Sequence, residues 1–322
     1  MKILIVSDQF KPSVRSSSIL IQDLVNRLLK KKHYVTLITT TKGKDSPKKN
    51  LNIIRLKSFE LHGKNYILKG INQIILFFQV SFYVFFLKNK IDKLFVYSPP
   101  FFLGLLGFLL KKKRTIICLQ DLFPQNAIDL SILKNKILIK ILFIIEKKIF
   151  EINDYFIVHS NNAQIFLKMK YPFAKKKIIF MYNWFDKLPP KSQKVKKNKK
   201  FKFVFGGSIG PSQNLEKIIL PFKKLEKICE LDIYGNGISK EYFQKKLYDN
   251  NIKNISLFEP ISNHQFQKKL NLSDSALITL SNKNKTPIIP GKFNFYCLNS
   301  KNITSIVNKE SDLHEIIKTN KL

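Results

Sequence analysis

The sequence predicts an α/β fold of two Rossmann-like domains, each with a parallel sheet, facing one interdomain cleft. Three observations lead to this prediction. Short apolar runs of strand type, such as KILIV at residues 2–6, alternate with amphipathic helical stretches along the chain. A lysine-rich segment with little to bury interrupts this alternation at residues 186–200. The length of 322 residues also suits two domains of ordinary size.

The first predicted domain covers residues 1–185 and contains seven predicted strands. The strand patterns lie at residues 2–6, 34–40, 52–56, 93–97, 114–119, 154–158 and 177–181. Helices are predicted at residues 16–31, around 70–88, after Pro99-Pro100, over some 20 residues beyond Asn126, and at 161–170. Because each helix joins two strands, the strands are expected to run parallel under helices on both faces.

The second predicted domain covers residues 201–322, after a basic linker at 186–200. Its strand patterns lie at residues 201–205, 230–234, 255–258, 275–280 and 303–307. The intervening helices are predicted at 211–226, up to 249, at 262–271, at 290–298 and at the end of the chain. This order repeats the alternation of the first half.

The charge of the chain is strongly positive, with 57 Lys and Arg against 22 Asp and Glu, a net charge of +35. Such a charge suits nucleic acid or an anionic membrane surface, although an AT-rich genome produces the same lysine bias without a partner. Only four of these residues are arginines, the side chain that nucleic-acid readers favour: Arg15, Arg27, Arg55 and Arg114. The lysines instead flank apolar helices. We therefore expect an anionic membrane surface as a partner and no nucleic acid.

Two apolar stretches are candidates for membrane contact. Residues 70–87 form 18 residues without a charge, the lower limit for a spanning helix, but they include polar Asn72 and Gln79 on one side. This composition favours a buried or interfacial helix. Residues 137–150 place lysines beside an apolar face, as monotopic membrane proteins do. The N-terminal strand is too short for a signal peptide, and three distant cysteines suit a reducing compartment.

Two glycine loops each follow a predicted strand of the second domain. Residues 206–210 read GGSIG, and Gly235, Asn236 and Gly237 follow the next strand. Glycine lets a phosphate approach the backbone, and parallel sheets bind ligands at the carboxyl ends of their strands. A tight turn is the alternative for each loop. Neither loop matches a dinucleotide fingerprint or a Walker motif.

Two further residues, Lys292 and Asp121, are candidates for ligand binding or catalysis. Lys292 follows Pro290-Gly291 at a predicted helix N-terminus, where its ammonium beside free N–H groups suits a diphosphate. A stray surface lysine is the alternative in so lysine-rich a chain. Asp121 follows a strand and is able to act as a base or to bind a sugar hydroxyl, unless it is a loop or cap residue. No histidine pair has metal-ligand spacing, and His33 and His159 are expected to be structural.

Several motifs together resemble one known family. They run in order along nearly the whole chain: DQFKPSVRSSS, LLKKKHYVTLIT with Lys32 where glycine is usual, YSPPFFLGL, LQDLFPQNAIDL, FIVHSNNAQIFL, MYNWFD, FVFGGSIGPSQNLEKII, LDIYGNG and IPGKFNFY. With these motifs the chain resembles the family-4 retaining glycosyltransferases of GT-B fold. It is most similar to the bacterial branch that builds O-antigen and other surface polysaccharides.

The resemblance implies transfer of a sugar from a nucleotide-sugar donor, expected to be UDP-linked, with retention. By this likeness the C-terminal domain binds the donor through Gly207, Ser208, Gly235, Asn236, Lys292 and Tyr296. The N-terminal domain binds the acceptor through Ser16, Ser17 and Ser18, with Asp121 as the catalytic candidate. No cofactor or metal is expected, since positive charge at the diphosphate stabilises the leaving group. The implied acceptor is a polyprenyl-diphosphate-linked sugar, which places the protein in the cytoplasm, peripheral at the inner face of the plasma membrane.

The sequence also departs from the family pattern. Pro287 and Phe295 stand where many members carry a pair of glutamates, and Gln213-Asn214 stand where many have a basic residue. The family also usually continues beyond IIKTNKL with a strand and a long helix. We therefore expect a truncated or minimal variant with weakened domain closure. The alternatives are an inactive or regulatory GT-B protein that binds a sugar nucleotide without transfer and, more remotely, a basic nucleic-acid-binding protein.

Overall fold

A computed structural model of the chain describes residues 1–13, 15–57, 66–110, 114–184, 199–299 and 301–320, without the side chain of residue 67. The chain divides into two compact units. Unit 1 comprises Met1–Asp186 with Thr286–Ile288, and unit 2 comprises Lys187–Lys285 with Ile289–Leu322. The predicted linker at 186–200 lies outside the described residues, apart from Lys199 and Lys200.

Unit 1 is built on a seven-stranded sheet whose described pairings are all parallel. Its strands are β1 (Lys2–Val6), β2 (Tyr34–Thr39), β3 (Leu51–Arg55), β4 (Lys93–Ser98), β5 (Arg114–Leu119), β6 (Tyr155–Val158) and β7 (Ile178–Phe180), in the spatial order β3-β2-β1-β4-β5-β6-β7. Its α-helices are α1 (Ser16–Lys30), α2 (Tyr66–Leu87), α3 (Gln125–Asp129), α4 (Lys136–Ile152) and α5 (Asn161–Lys170).

The two faces of this sheet are covered by different helices. Alternate strand residues such as Ile5 and Leu37 pack with Leu20 and Ile21 of α1. The residues on the opposite face, such as Leu4, pack under α2, α4, α5 and a 3₁₀ helix at Phe101–Leu110. Burial on both faces explains why the strands read as continuous apolar runs.

Unit 2 has a five-stranded sheet, also with parallel pairings only. Its strands are β8 (Phe201–Gly206), β9 (Cys229–Tyr234), β10 (Ile255–Phe258), β11 (Ser275–Thr279) and β12 (Ile303–Ile306), in the order β10-β9-β8-β11-β12. The α-helices are α6 (Ile219–Lys224), α7 (Lys240–Asp249), α8 (Asn263–Asn271), α9 (Gly291–Leu298) and α10 (Asp312–Asn320).

The predicted α/β class with two parallel sheets is confirmed, and three helices differ from prediction. The long helix expected beyond Asn126 is split into α3 and α4, because Ser131 adopts a left-handed φ of 57° between them. The helix expected from Pro211 begins only with the 3₁₀ turn Leu215–Ile218, after Asn214 at φ 46°. The helix after Pro99-Pro100 is a 3₁₀ helix.

Candidate functional site

The carboxyl edge of the unit 2 sheet, where its strands end, brings the two glycine loops together. The Gly207 N–H donates to the carbonyl of Tyr234 at 3.0 Å, and the Ile209 N–H donates to the carbonyl of Asn236 at 3.0 Å. The loop after β8 and the loop after β9 are therefore bonded side by side. Gly207, Gly235 and Asn236 are neighbours at this edge, as the sequence predicts for adjacent parallel strands; Gly207 and Asn236 are exposed and Gly235 is buried.

Glycine is required at this junction for steric reasons. A Cβ on Gly235 would overlap the carbonyl oxygen of Gly207, and a Cβ on Gly237 would overlap the carbonyl oxygen of Ile209. Gly207 itself has a φ of 123°, a region that other residues rarely adopt. The two loops are thus packed backbone against backbone, which leaves an uncovered main chain at Gly207.

Lys292 lies in the first turn of α9, with its ammonium aimed at this main chain. The Nζ atom is buried, and no described residue offers it a hydrogen-bond acceptor. It lies 3.4 Å from the centroid of the Phe205 ring and 3.4 Å from the place that a Cβ on Gly207 would occupy. The amine therefore lies on an aromatic face beside the glycine loop, and the described part of the chain places no counter-charge next to it.

The electrostatic consequence appears in the pKa of Lys292. Burial lowers that pKa from 10.5 to about 7, because the charged form loses its hydration. An anion next to the amine would replace the lost hydration and restore the charge. The site is therefore suited to a negatively charged group.

Tyr296 supports the loop from beneath. It is fully buried, and its hydroxyl oxygen accepts a hydrogen bond from the Gly206 N–H at 3.1 Å. Burial raises the pKa of this phenol well above its usual value. The hydroxyl is therefore inside the unit, where Tyr296 positions the loop that carries Gly207; the contact of Tyr296 with a donor stays a prediction.

Two more side chains border the loop. Ser208 is exposed at its tip, where its hydroxyl is open to solvent. Lys217 donates through Nζ to the carbonyl of Leu280 at 2.9 Å and to Oδ1 of Asn282 at 2.6 Å, and burial lowers its pKa. Lys217 therefore fastens the segment after β11 to the 3₁₀ turn beside the glycine loop.

In unit 1 the carboxyl edge of the sheet holds two carboxyl groups. Asp8 follows β1 and Asp121 follows β5, and β4 with Tyr97 lies between these strands. Burial raises the pKa of both carboxyl groups, and their charges contribute to a raised pKa of Tyr97. Asp8 and Asp121 are therefore two desolvated carboxyl groups at the same sheet edge, on either side of β4.

The predicted serines lie in the first turn of α1, after the loop that leaves β1. Ser16 is exposed and Ser17 half-buried, whereas Ser18 is 1% exposed. The structure therefore leaves Ser16 and Ser17 open to a ligand and buries Ser18.

His159 has a structural environment, as expected. Its Nδ1 lies 2.8 Å from the carbonyl oxygen of Met181, so Nδ1–H donates there and Nε2 accepts from the Cys118 thiol at 3.2 Å. Burial lowers its pKa to about 4, which keeps the ring neutral near pH 7.

Sequence reasoning misses Phe205, Lys217 and Asp8. Phe205 reads as an ordinary core residue of β8, and its ring contacts Lys292 only because α9 packs on that strand. Lys217 lacks a distinguishing motif among so many lysines. Asp8 lies two residues after the end of a strand, as Asp121 does, and this position is the one signal that predicts it.

Comparison with known protein families shows to which family the chain belongs. The model of the family described as Glycosyltransferase Family 4 matches residues 17–187, more than half of the chain. The chain therefore belongs to glycosyltransferase family 4. A comparison with curated proteins finds no significant match.

Solved structures agree with this assignment at the level of fold. WaaG, a glycosyltransferase involved in lipopolysaccharide biosynthesis, aligns with a TM-score of 0.65 at 10% identity, covering 99% of this chain and 84% of that one. Anabaena HepE in complex with UDP-glucose aligns at 0.63 and 10% identity, covering 98% and 82%. The catalytic domain of Arabidopsis thaliana Starch Synthase IV, bound to ADP and acarbose, aligns at 0.66 and 10% identity, covering 98% and 84%. The chain has the two-domain GT-B fold.

Proposed function

We propose that this protein transfers a hexosyl group from a nucleotide-sugar donor, expected to be UDP-linked, with retention of anomeric configuration. The observation that carries the proposal is the buried ammonium of Lys292, which has no acceptor among the described residues and lies beside the bare main chain of Gly207. A donor diphosphate has the charge and the acceptor oxygens that this arrangement lacks. Positive charge held there stabilises the nucleotide as it leaves, so no metal is required.

The binding step requires one movement in this proposal. The ammonium leaves the Phe205 ring, where a cation–π contact holds it, and turns toward the phosphate oxygens past Gly207. The hydroxyl of Ser208 and the N–H groups of the glycine loops provide further donors. UDP-glucose in HepE and ADP in Starch Synthase IV make a nucleoside diphosphate the first ligand to test.

For the acceptor side, we infer a polyprenyl-diphosphate-linked sugar in the assembly of O-antigen or another surface polysaccharide. Ser16, Ser17, Asp8 and Asp121 provide hydroxyl and carboxyl groups at one sheet edge for the sugar. Such an acceptor places the protein at the cytoplasmic face of the plasma membrane. The involvement of WaaG in lipopolysaccharide biosynthesis supports this context by analogy.

The first experiment is a thermal-shift panel with UDP, GDP, dTDP, ADP and UDP-N-acetylhexosamines against the wild type and Lys292→Ala. A shift with one base that is lost in the variant supports the donor site and names the nucleotide. Product analysis by NMR then reports the anomeric configuration. Asp121→Asn should lower kcat while donor affinity stays unchanged; an unchanged kcat would remove Asp121 from the mechanism.

A second candidate is a GT-B protein that binds a sugar nucleotide without transfer. Pro287 and Phe295 favour it, because both stand where the resemblance places carboxylates. Phe295 packs 6.0 Å from the Phe266 ring, in an aromatic and not an acidic setting. Nucleotide binding without any transfer to lipid-linked sugars, and without donor hydrolysis, would favour this candidate.

A further inference from the structure

Helix α2 is long and apolar enough to cross a membrane, by length and composition, over Leu68–Lys90. Its place in the fold excludes a crossing. The chain enters α2 after β3 and leaves it for β4, and both strands belong to the same sheet. A spanning helix leaves the body of the protein, with its two ends on opposite sides of the bilayer. Helix α2 instead buries Leu76, Val80 and Val84 in the core of unit 1, so it lies along the surface of that unit.

One face of α2 packs on the sheet and the other is bare. Leu76, Val80 and Val84 are at most 7% exposed against the core. Phe78, Phe82 and Phe86 follow one another at four-residue spacing, and they are 66%, 62% and 63% exposed. Only 17% of the most apolar window of this helix is buried in the protein. A helix with this composition normally has its outer face covered.

The exposed apolar surface continues beyond α2. The 3₁₀ helix Phe101–Leu110 packs on α2 through a hydrogen bond from the Phe101 N–H to Oε1 of Gln73 at 3.0 Å. It packs on α4 so closely that a Cβ on Gly104 would come within 2.8 Å of Ile149. We call the exposed side chains of these three helices the outer surface; its large apolar members include Phe78, Phe82, Phe86, Phe108, Ile137 and Ile144, each at least 43% exposed.

The charges around this surface are lysines. Helix α2 contains no acid, and the lysines at its edges and along α4 include Lys69, Lys88, Lys136, Lys140 and Lys147. The two acids of α4 are engaged already, Glu146 with Lys170 at 2.7 Å and Glu151 with Lys148 at 3.0 Å. If the outer surface bound the same surface of a second copy of the chain, the lysines of the two copies would face and repel each other. An anionic bilayer would accept both the apolar and the positive groups.

We propose that the outer surface lies in an anionic lipid bilayer, with α2 parallel to the membrane plane. Its phenylalanines enter the boundary between headgroups and acyl chains, and the lysines reach the phosphates; Lys88 is placed for this at the helix end, with Nζ 4.0 Å from the Phe85 ring centroid. This inference rests on the peripheral location proposed above and assigns it to particular residues.

The test is sedimentation of the full chain with vesicles of phosphatidylethanolamine and phosphatidylglycerol, compared with phosphatidylcholine alone. Phe82→Ser with Phe86→Ser should weaken binding to the anionic vesicles at least tenfold. The matched control is Leu220→Ser with Tyr248→Ser in unit 2, whose side chains are 63% and 87% exposed. This control should bind as the wild type does.

A second pair of variants tests the charge. Lys136→Gln, Lys140→Gln and Lys147→Gln together should weaken binding by roughly fivefold per lysine, whereas the same change of charge at Lys223, Lys224 and Lys227 should have a much smaller effect. Circular dichroism checks that each variant is folded.

The outcomes separate the proposals. Vesicle binding that is equal in the phenylalanine variant and its control would overturn the role of α2 and keep the peripheral location. No vesicle binding at all would overturn both, and a concentration-dependent dimer that dissociates in the phenylalanine variant would assign the outer surface to self-association. The nucleotide thermal shift, measured without lipid, tests the transferase proposal separately.

Discussion

Among the partly buried lysines of this protein, Lys292 has an unusual environment. Lys202 lies in the same unit and binds Asp232 at 2.9 Å and Glu230 at 3.3 Å; burial lowers its pKa, but these acids outweigh burial and raise it. Lys170 of unit 1 binds Glu146. Lys292 has an aromatic ring in place of an acid. A charge that folding leaves uncompensated is costly for stability, and this cost is recovered when an anion binds.

The first prediction concerns removal of this ammonium. Lys292→Ala should weaken nucleotide-sugar binding by roughly 10- to 100-fold, the effect of losing a charged hydrogen bond. The melting temperature without ligand should stay equal or rise, because a desolvated amine is removed. Calorimetric titration and thermal denaturation measure the two quantities. Lys223→Ala, at an exposed position of α6, is the control; equal loss of affinity in both variants would contradict the role of Lys292.

The second prediction concerns pH. The pKa of Lys292 lies at about 7 in the free protein, and a bound diphosphate raises it, so binding takes up a proton. Affinity should therefore be greatest below pH 7 and fall by up to tenfold per pH unit above it. A UDP-sugar is the proper probe, because it lacks the phosphate group of free nucleotides that titrates near pH 6. The same titration of Lys292→Ala should lose this dependence; a flat wild-type profile contradicts the prediction.

The third prediction concerns Lys32, at the end of α1. Lys32 adopts a left-handed φ of 59°, and the N–H of His33 donates to the carbonyl of Leu28 at 3.0 Å, a helix ending that favours glycine. Lys32→Gly should stabilise unit 1 by about 0.5–1 kcal/mol, since relief of strain exceeds the added chain entropy. Chemical denaturation measures this gain. Lys31→Gly, at φ −82°, should not stabilise the protein.

At the scale of elements, the proposed donor site depends on the contact between the loop after β8 and the loop after β9. Their mutual hydrogen bonds join the ends of β8 and β9, and α9 packs beneath them through Tyr296. Each loop alone is a simple turn. Their close approach is what exposes the Gly207 main chain to a ligand.

The fourth prediction compares two glycines of these loops, Gly235 and Gly210. Gly235→Ala should destabilise unit 2 by about 1–3 kcal/mol and abolish nucleotide binding, because its Cβ overlaps the Gly207 carbonyl. Gly210→Ala is the matched control in the same loop pair. The nearest atom to its Cβ, Oε1 of Gln213, is 3.6 Å away, so stability should change by less than about 0.5 kcal/mol. Thermal denaturation with and without UDP-sugar distinguishes the two; equal stability of both variants contradicts the prediction.

Sequence patterns predict helices and strands better than they predict the side-chain contacts between them. The strands and most helices follow from periodicity, and the carboxyl-edge rule brings Gly207 and Gly235 together. The helix breaks at Ser131 and Asn214 were not predicted, because each depends on a single residue with a left-handed φ. Neither serine nor asparagine requires that conformation, so the residue type alone does not indicate a break. The partners Phe205–Lys292 and Gly206–Tyr296 are far apart in sequence and meet only through packing of α9 on β8. No local pattern contains that information.

At the scale of the whole molecule, the net charge of +35 attracts ligands in a different way from the buried Lys292. Distributed lysines attract any polyanion weakly, and salt screens this attraction. The buried Lys292 is screened much less. The charge therefore predicts non-specific adhesion, whereas the site predicts a specific ligand.

The fifth prediction follows from this difference. Binding to duplex DNA should be weak at 50 mM salt and fall by orders of magnitude by 200 mM, whereas UDP-sugar affinity should change only a few-fold. Fluorescence anisotropy with labelled DNA and calorimetry with the nucleotide measure the two salt dependences. DNA binding that persists at 200 mM salt would favour the nucleic-acid-binding alternative.

The position of β1 has a practical consequence for handling the protein. This strand lies inside the unit 1 sheet, between β2 and β4, so Met1 and Asp8 lie at opposite edges of the sheet, roughly 20 Å apart. An affinity tag or a surface linker joined before Met1 therefore leaves from the edge away from Asp8 and Asp121. Immobilisation through the amino terminus therefore keeps the support away from the edge that holds Asp8 and Asp121, whereas removal of even six residues there would take out the strand that joins β2 to β4.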